Sequence, residues 1–253
     1  MYRSRLLSSV SVHPSWNDFI TNETSYIIEN LKSIEQKIGN NYTPTDSEVL
    51  RFFGLDLSKI KVIILGQDPY KPVRVANGRA FQPKDLLDWS QPFRQVSLKN
   101  IIRSIYATYN NITEWDLIPS YKEIVHEMEI GEFKLKQPYS WFDSLESQGV
   151  LLLNTSLTCE IGKSNSHKDI WKEFACKLIS HIAYNCPQSL DWFLWGNEAQ
   201  FYKDIVQASN TERQSPHRLF LSRHPMMCTR SSTDDFLYNP CFKETMNKIN
   251  WLG

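Results

Sequence analysis

Four short apolar runs divide the chain, and each stops abruptly at polar residues. Lys61–Leu65 ends at Gly66, Val150–Leu153 ends at Asn154, "SLDWFLW" ends at Gly196 and Asn197, and "HRLFLS" ends at Arg223 and His224. The runs are continuous rather than alternating, the pattern of strands covered on both faces. Helical spacing fills much of the intervening sequence. Trp16, Phe19, Ile20, Ile27, Ile28, Leu31, Ile34 and Ile38 predict one amphipathic helix or a pair. Asp46 or Ser47 is available to cap a short helix after "NNYTP", and helical periodicity returns from Ser97. Ile170, Phe174, Leu178 and Ile182 form the stripe of another helix. Strands followed mostly by helices predict a single α/β domain over residues 1–253, with a central four-stranded parallel twisted sheet and helices on both faces. Residues 69–92, broken by Pro72, Gly78, Pro83 and Pro92, read as a long loop system. Residues at about 107–140 show short helical patterns around Tyr121–Met128 and read as an elaboration of the core.

In such a sheet the strands' carboxyl ends share one edge, where α/β folds collect ligand chemistry. That edge gathers Gln67, Asp68, Tyr70, Asn154, Gly196, Asn197 and His224.

Composition narrows the class. The 253 residues are 41% hydrophobic and 13% aromatic, a globular balance. The 28 basic and 28 acidic side chains cancel, so overall charge says nothing for or against a nucleic-acid partner. Five cysteines without a CxxC pair argue against a disulfide framework or a zinc site. No stretch approaches a membrane span, and the N-terminal sixteen residues lack a long apolar core. A reducing, cytoplasmic setting is expected, or a nuclear one in a eukaryotic or viral context.

Neither GxxxxGK[ST] nor GxGxxG follows a strand, so nucleotide binding by those loops is unsupported. Ser156 lacks the GxSxG elbow of a nucleophile. His167 reads as a helix-capping or packing residue, and "VHPSW" at His13–Ser15 as a loop preceding every strand. No metal or cofactor is expected. What remains at the edge is one carboxylate, one histidine, one asparagine and aromatic rings. This set suits cleavage of a bond whose transition state separates charge, with the cation near Asp68 and the anion near His224. An N-glycosidic bond fits: the sugar turns cationic, the departing base anionic, and water held by Asp68 completes hydrolysis. Phe81 offers a stacking plane for a flat base, and Asn154 a donor and an acceptor for its edge.

With those residues in place, the chain resembles the uracil-DNA glycosylase family over most of its length. "ILGQDPY" is similar to the water-activating motif, "NGRAF" places Phe81 at the base-stacking position, and "SLKNI" is similar to the phosphate-contacting segment starting at Ser97. "GVLLLNTSLT" resembles the uracil-recognition strand, and "NSHKDIWKEF" the helix after it. "LWGNEAQ" resembles the backbone-pinching loop, "RHPMMC" stands at the intercalation loop, and "FKETMNKINW" resembles the last helix. The resemblance implies that Asp68 positions water and stabilises the sugar cation, while neutral His224 donates to uracil O2. It implies a backbone contact from Gln67, exclusion of thymine by Tyr70 and reading of N3 and O4 by Asn154. It also implies DNA contacts from Lys71, Ser97, Gly196, Asn197 and the run Pro225, Met226, Met227, Cys228, Thr229 and Arg230, with a monomer acting on single- or double-stranded DNA.

Three departures bear on substrate. The family usually has histidine, glycine and proline after the tyrosine, where this chain has Lys71, Pro72, Val73 and Arg74. Counting from His224 to the family's intercalating leucine arrives at Cys228, a poor wedge, whereas Met227 beside it is apolar. The elaborated segment is also longer than the family pattern. Uracil is the leading substrate, since Asp68, Tyr70, Phe81, Asn154 and His224 are all retained. A glycosylase for another modified pyrimidine, such as a 5-substituted cytosine of phage DNA in antiviral defence, is the alternative, because an amide can be turned over to face cytosine. Retention of Asp68 and His224 argues against a catalytically silent DNA-binding or processivity protein.

Overall fold

The computed structural model describes residues 4–21 and 24–253. Six strands are present among them: β1 (Tyr42–Thr43), β2 (Val62–Gly66), β3 (Val150–Asn154), β4 (Cys159–Glu160), β5 (Asp191–Trp195) and β6 (Arg218–Ser222). β1 and β4 make a two-residue antiparallel ribbon. The other four form one parallel sheet in the order β3-β2-β5-β6. Their apolar runs are what the sequence led us to expect. Burial of every β2, β3 and β5 residue explains why these strands do not alternate, whereas β6, at an edge, is half-exposed.

The helices are α1 (Arg5–Ser8), α2 (Asn17–Thr21), α3 (Thr24–Ile38), α4 (Asp46–Val49), α5 (Val96–Tyr109), α6 (Tyr121–Glu129), α7 (Pro138–Ser147), α8 (Lys168–Asn185), α9 (Asn197–Gln200), α10 (Lys203–Ser209) and α11 (Cys241–Thr245). Alternate strand residues point into two separate cores. Ile63, Leu65, Leu151, Leu153, Trp192 and Leu194 pack with residues of α3, α8 and α10. Val62, Ile64, Val150, Leu152, Phe193 and Trp195 pack with residues of α5, α6, α7 and α11. Helices therefore cover both faces. No helix among the described residues is long and apolar enough to cross a membrane.

One local expectation changes, and one left open resolves as a pair of helices. The cap of α4 is Thr45, not Asp46 or Ser47, and the Glu48 carboxylate accepts from the Thr45 N–H at 3.2 Å. The amphipathic stretch Trp16–Ile38 divides into α2 and α3 after a single turn at Pro14–Trp16.

Residues 107–140 complete α5, add the single turn Trp115–Leu117 and α6, and lead into α7. The segment is anchored rather than peripheral. Ile118, Ile124 and Phe133 are buried, and Tyr106 donates to Glu127 while Tyr121 donates to the Trp89 carbonyl.

Candidate active site

Parallel pairing sets Gly66 opposite Asn154 at the carboxyl ends of β2 and β3. The chain beyond β3 continues the ladder briefly. Thr155 N–H donates to the Gly66 carbonyl at 3.0 Å, and Ser156 N–H and Thr155 Oγ1 donate to the Gln67 carbonyl at 2.9 and 3.1 Å. This fixes the backbone from which Asp68 projects.

Asp68 is half-buried and held from the opposite loop. The Asn165 N–H donates to its Oδ2 at 2.7 Å, and the Gln67 amide donates to its Oδ1 at 3.2 Å and to Asn165 Oδ1 at 2.5 Å. Burial pushes its carboxyl above the ordinary aspartate range, and Glu198 adds to that; the two amide donors and the nearby Lys71 ammonium act in the opposite direction. Burial wins, which leaves a poorly solvated carboxylate whose charge is most relieved by a cation forming beside it. Sequence reasoning missed Asn165. Its side chain completes the Gln67 bridge and its backbone sits at φ 61°, a conformation asparagine tolerates. The available signal was an Asn-Ser-His run in a loop just ahead of α8.

His224 stands at the carboxyl end of β6, at the start of the single turn Pro225–Met227. Its Nδ1 accepts from the Met226 N–H at 3.2 Å, so the ring's proton resides on Nε2, which can act as a donor. Burial lowers the imidazole's pKa below the ordinary histidine value. The arrangement is a neutral ring that donates from one fixed nitrogen.

Beside His224 stands Phe81, half-buried at φ 64°. Its ring centroid lies 6.3 Å from that of His224 and 5.9 Å from that of Trp195. The Tyr70 hydroxyl donates to the Phe81 carbonyl at 3.0 Å. The tyrosine is thus tied to the backbone of Phe81. Asn154 is almost wholly buried.

Gly196, at φ 83°, leads β5 into α9 and donates to the Ser222 carbonyl at 2.8 Å. That bond ties the turn to the strand bearing His224, and Asn197 beside it is exposed. Ser97 lies in the first turn of α5, one turn before Asn100, whose amide donates to the Pro225 carbonyl at 2.7 Å. The exposed Lys71 accepts from Gly162 N–H through its own carbonyl at 2.9 Å. The sequence-selected residues therefore share one edge.

Within the run after His224, Pro225 is buried while Met226 and Met227 are 58% and 53% exposed. Cys228 turns inward, its thiol donating to the Pro225 carbonyl at 3.2 Å and pushed by burial up to about 12. The methionines, not the cysteine, project from the loop. Thr229 N–H donates to Asp235 at 2.5 Å, and Arg230 pairs with Asp116 of the elaborated segment at 2.8 Å.

His167 is a buried helix-start residue, its Nδ1 2.9 Å from Thr158 Oγ1. Ser156 donates to the Thr158 carbonyl. His13 accepts from Ser15 N–H near the start of the chain. Among the described residues, no group of three or more His, Cys, Asp or Glu could hold a metal ion.

No protein-family model matches the chain. Individual proteins do. The uracil-DNA glycosylase of Francisella philomiragia is 32% identical over 218 residues, covering 83% of this chain and 84% of that protein. That of Pseudoalteromonas translucida is 31% identical over 216 residues, with 83% and 86% covered. The fold is similar to the crystal structure of the UNG from Nitratifractor salsuginis, with a TM-score of 0.70, 21% identity, and 97% of this chain and 94% of that chain covered. The mimivirus uracil-DNA glycosylase aligns with a TM-score of 0.59 at 23% identity, with 88% and 71% covered. On the sequence relationship, which spans most of both partners, this chain belongs to the uracil-DNA glycosylase family.

Proposed function

We propose that this protein, acting as a monomer, removes uracil from DNA by hydrolysing the N-glycosidic bond of a flipped nucleotide and leaves an abasic site. The observation that carries the reading is the pairing of a poorly solvated Asp68 carboxylate with a neutral His224 that donates from Nε2. As the bond lengthens, positive charge grows on the sugar and is stabilised by Asp68. Negative charge grows on the base and is stabilised by the Nε2 proton at O2. Interactions of this kind are each worth about a hundredfold or more in rate. Water held by Asp68 then adds to the sugar.

Selection of the base falls to Asn154, whose amide meets N3 and O4, and to Phe81, which stacks on the ring. Tyr70 stands beside carbon 5 and excludes a methyl group. Its hydroxyl bond to the Phe81 carbonyl fixes the ring and supports uracil over a 5-substituted cytosine. Ser97, Lys71, Gly196 and Asn197 grip the backbone. Met226 and Met227 fill the stack that the base vacates, as apolar wedges do elsewhere.

Incubation with duplex DNA carrying a single uracil tests the reading. Free uracil and an alkali-labile abasic site should appear with wild-type protein and be nearly absent with Asp68→Asn. Full turnover by that variant would reject the mechanism.

A further inference from the structure

The elaborated segment reaches the loop that carries the two exposed methionines along two routes, one on each side of them. On the far side, the Asp235 carboxylate, 1% exposed, accepts from three donors: Thr229 N–H at 2.5 Å, Leu237 N–H at 2.9 Å and Trp115 Nε1 at 3.1 Å. On the near side, the Arg103 guanidinium donates to the carbonyls of Pro119 at 2.8 Å and Ile118 at 3.3 Å. It also donates to Asn100 Oδ1 at 3.0 Å. The other end of that amide donates to the Pro225 carbonyl at 2.7 Å. Arg103 also lies over the Trp115 ring, 5.7 Å from its centroid. The two routes therefore meet in the segment, at Trp115 and the turn that follows it.

We propose that Trp115 and Arg103 are positioning residues for the wedge: the elaborated segment holds both ends of the Pro225–Thr229 loop so that Met226 and Met227 stand ready to enter a duplex. Resting on the uracil-DNA reading above, this assigns the segment a role in substrate form, favouring duplex over single-stranded DNA. A wedge matters when a base must be drawn out of a stack. A single strand presents its bases with far less unstacking, so a slack loop costs little there. The exposed Arg230–Asp116 pair adds little to the brace, because solvent screens it. Asp235 and Asn100 are buried, and a lost partner there is felt in full.

The test compares uracil release from a duplex and from a single strand of identical sequence, for wild type, Trp115→Phe and Arg103→Lys, each checked by thermal melting. Trp115→Phe keeps an aromatic ring, a smaller one, and removes the Nε1 donor. Arg103→Lys keeps the charge and removes the fork. In each variant, duplex turnover should fall about five- to tenfold under single-turnover conditions, the worth of one hydrogen bond to a buried polar group, while single-strand turnover stays within about twofold. Equal loss on both substrates, or no loss on either, would overturn the proposal. If the wild-type protein released uracil from neither, the functional reading itself would fail, a result distinct from an unchanged duplex-to-single-strand ratio.

Discussion

Gly196 lies directly against His224: a Cβ placed on the glycine would stand 2.8 Å from His224 Cβ and 3.3 Å from its Cδ2. The turn after β5 and the imidazole after β6 can be adjacent only because that position has no side chain. Its φ of 83° independently favours glycine. Gly196→Ala should therefore shift the ring and cost turnover on the order of a hundredfold, the usual penalty for a displacement of about 1 Å at a reacting group. Single-turnover kinetics on single-stranded DNA, with melting to confirm the fold, would check it. An alanine variant of normal rate would show that the ring's position is not critical.

Gly66 plays a similar part for Asn154. An added Cβ would fall 2.4 Å from Asn154 Oδ1 and 2.7 Å from Ala80 Cβ. Gly66→Ala should displace the Asn154 amide, the group proposed to read the base, and destabilise the fold by about 1–3 kcal/mol through overpacking. The expected signature is a raised KM for uracil DNA together with a lower melting temperature.

Asp68→Asn should remove most turnover, and its effect on stability has a definite sign. Burial raises the folded-state pKa of Asp68, so the folded protein holds that proton more tightly than the unfolded chain. Ionised Asp68 then costs stability above its raised folded pKa, and the cost disappears as pH falls to the ordinary carboxylate range. The asparagine variant should melt slightly higher than wild type at pH 7, with the gain shrinking as the solution is acidified. A gain that grew on acidification would contradict the assignment of burial as the dominant influence.

The histidine adds a prediction about rate. Its pKa is lowered by burial, so His224 stays neutral at pH values where a free imidazole would already be charging. The pH profile of kcat/KM should show no histidine step near about 6.5. A step there that vanished in His224→Gln would contradict a neutral donor.

How much of this was legible in sequence depended on how local each signal was. β2 and β3 announce themselves because a fully buried parallel strand is a continuous apolar run, and the polar residues after such runs mark the ligand edge. Thr45, Asp46 and Ser47 are all good cap formers, and only the Glu48 contact singles out Thr45. Asn165 was invisible because its role depends on a loop crossing nearly a hundred residues of chain to meet Asp68. Cys228 stood at the wedge position by counting alone. The single turn at Pro225–Met227 rotates its thiol inward and leaves the methionines outside, a difference no spacing rule records. The packing of residues 107–140 was equally hidden, since Trp115 meets Asp235 from far along the chain and Arg103, which holds Ile118 and Pro119, reaches Pro225 only through Asn100.

Tyr70 bears on the choice of base. Its hydroxyl is anchored on the Phe81 carbonyl, which fixes the ring that we propose stands beside carbon 5. Tyr70→Ala should release thymine from DNA that the wild-type protein leaves intact, with uracil release retained. The measurement is detection of abasic sites in a thymine-only duplex.

The central claim, that this site acts on uracil, meets its most direct test in a competition. Equal amounts of two duplexes, identical except for uracil or a bulky 5-substituted cytosine at one position, are incubated with the wild-type protein at fixed salt, since phosphate contacts make affinity strongly salt-dependent. Abasic sites are then counted in each. The expected result is abasic sites in the uracil duplex and none in the cytosine duplex; preferential release of the substituted cytosine would contradict the account.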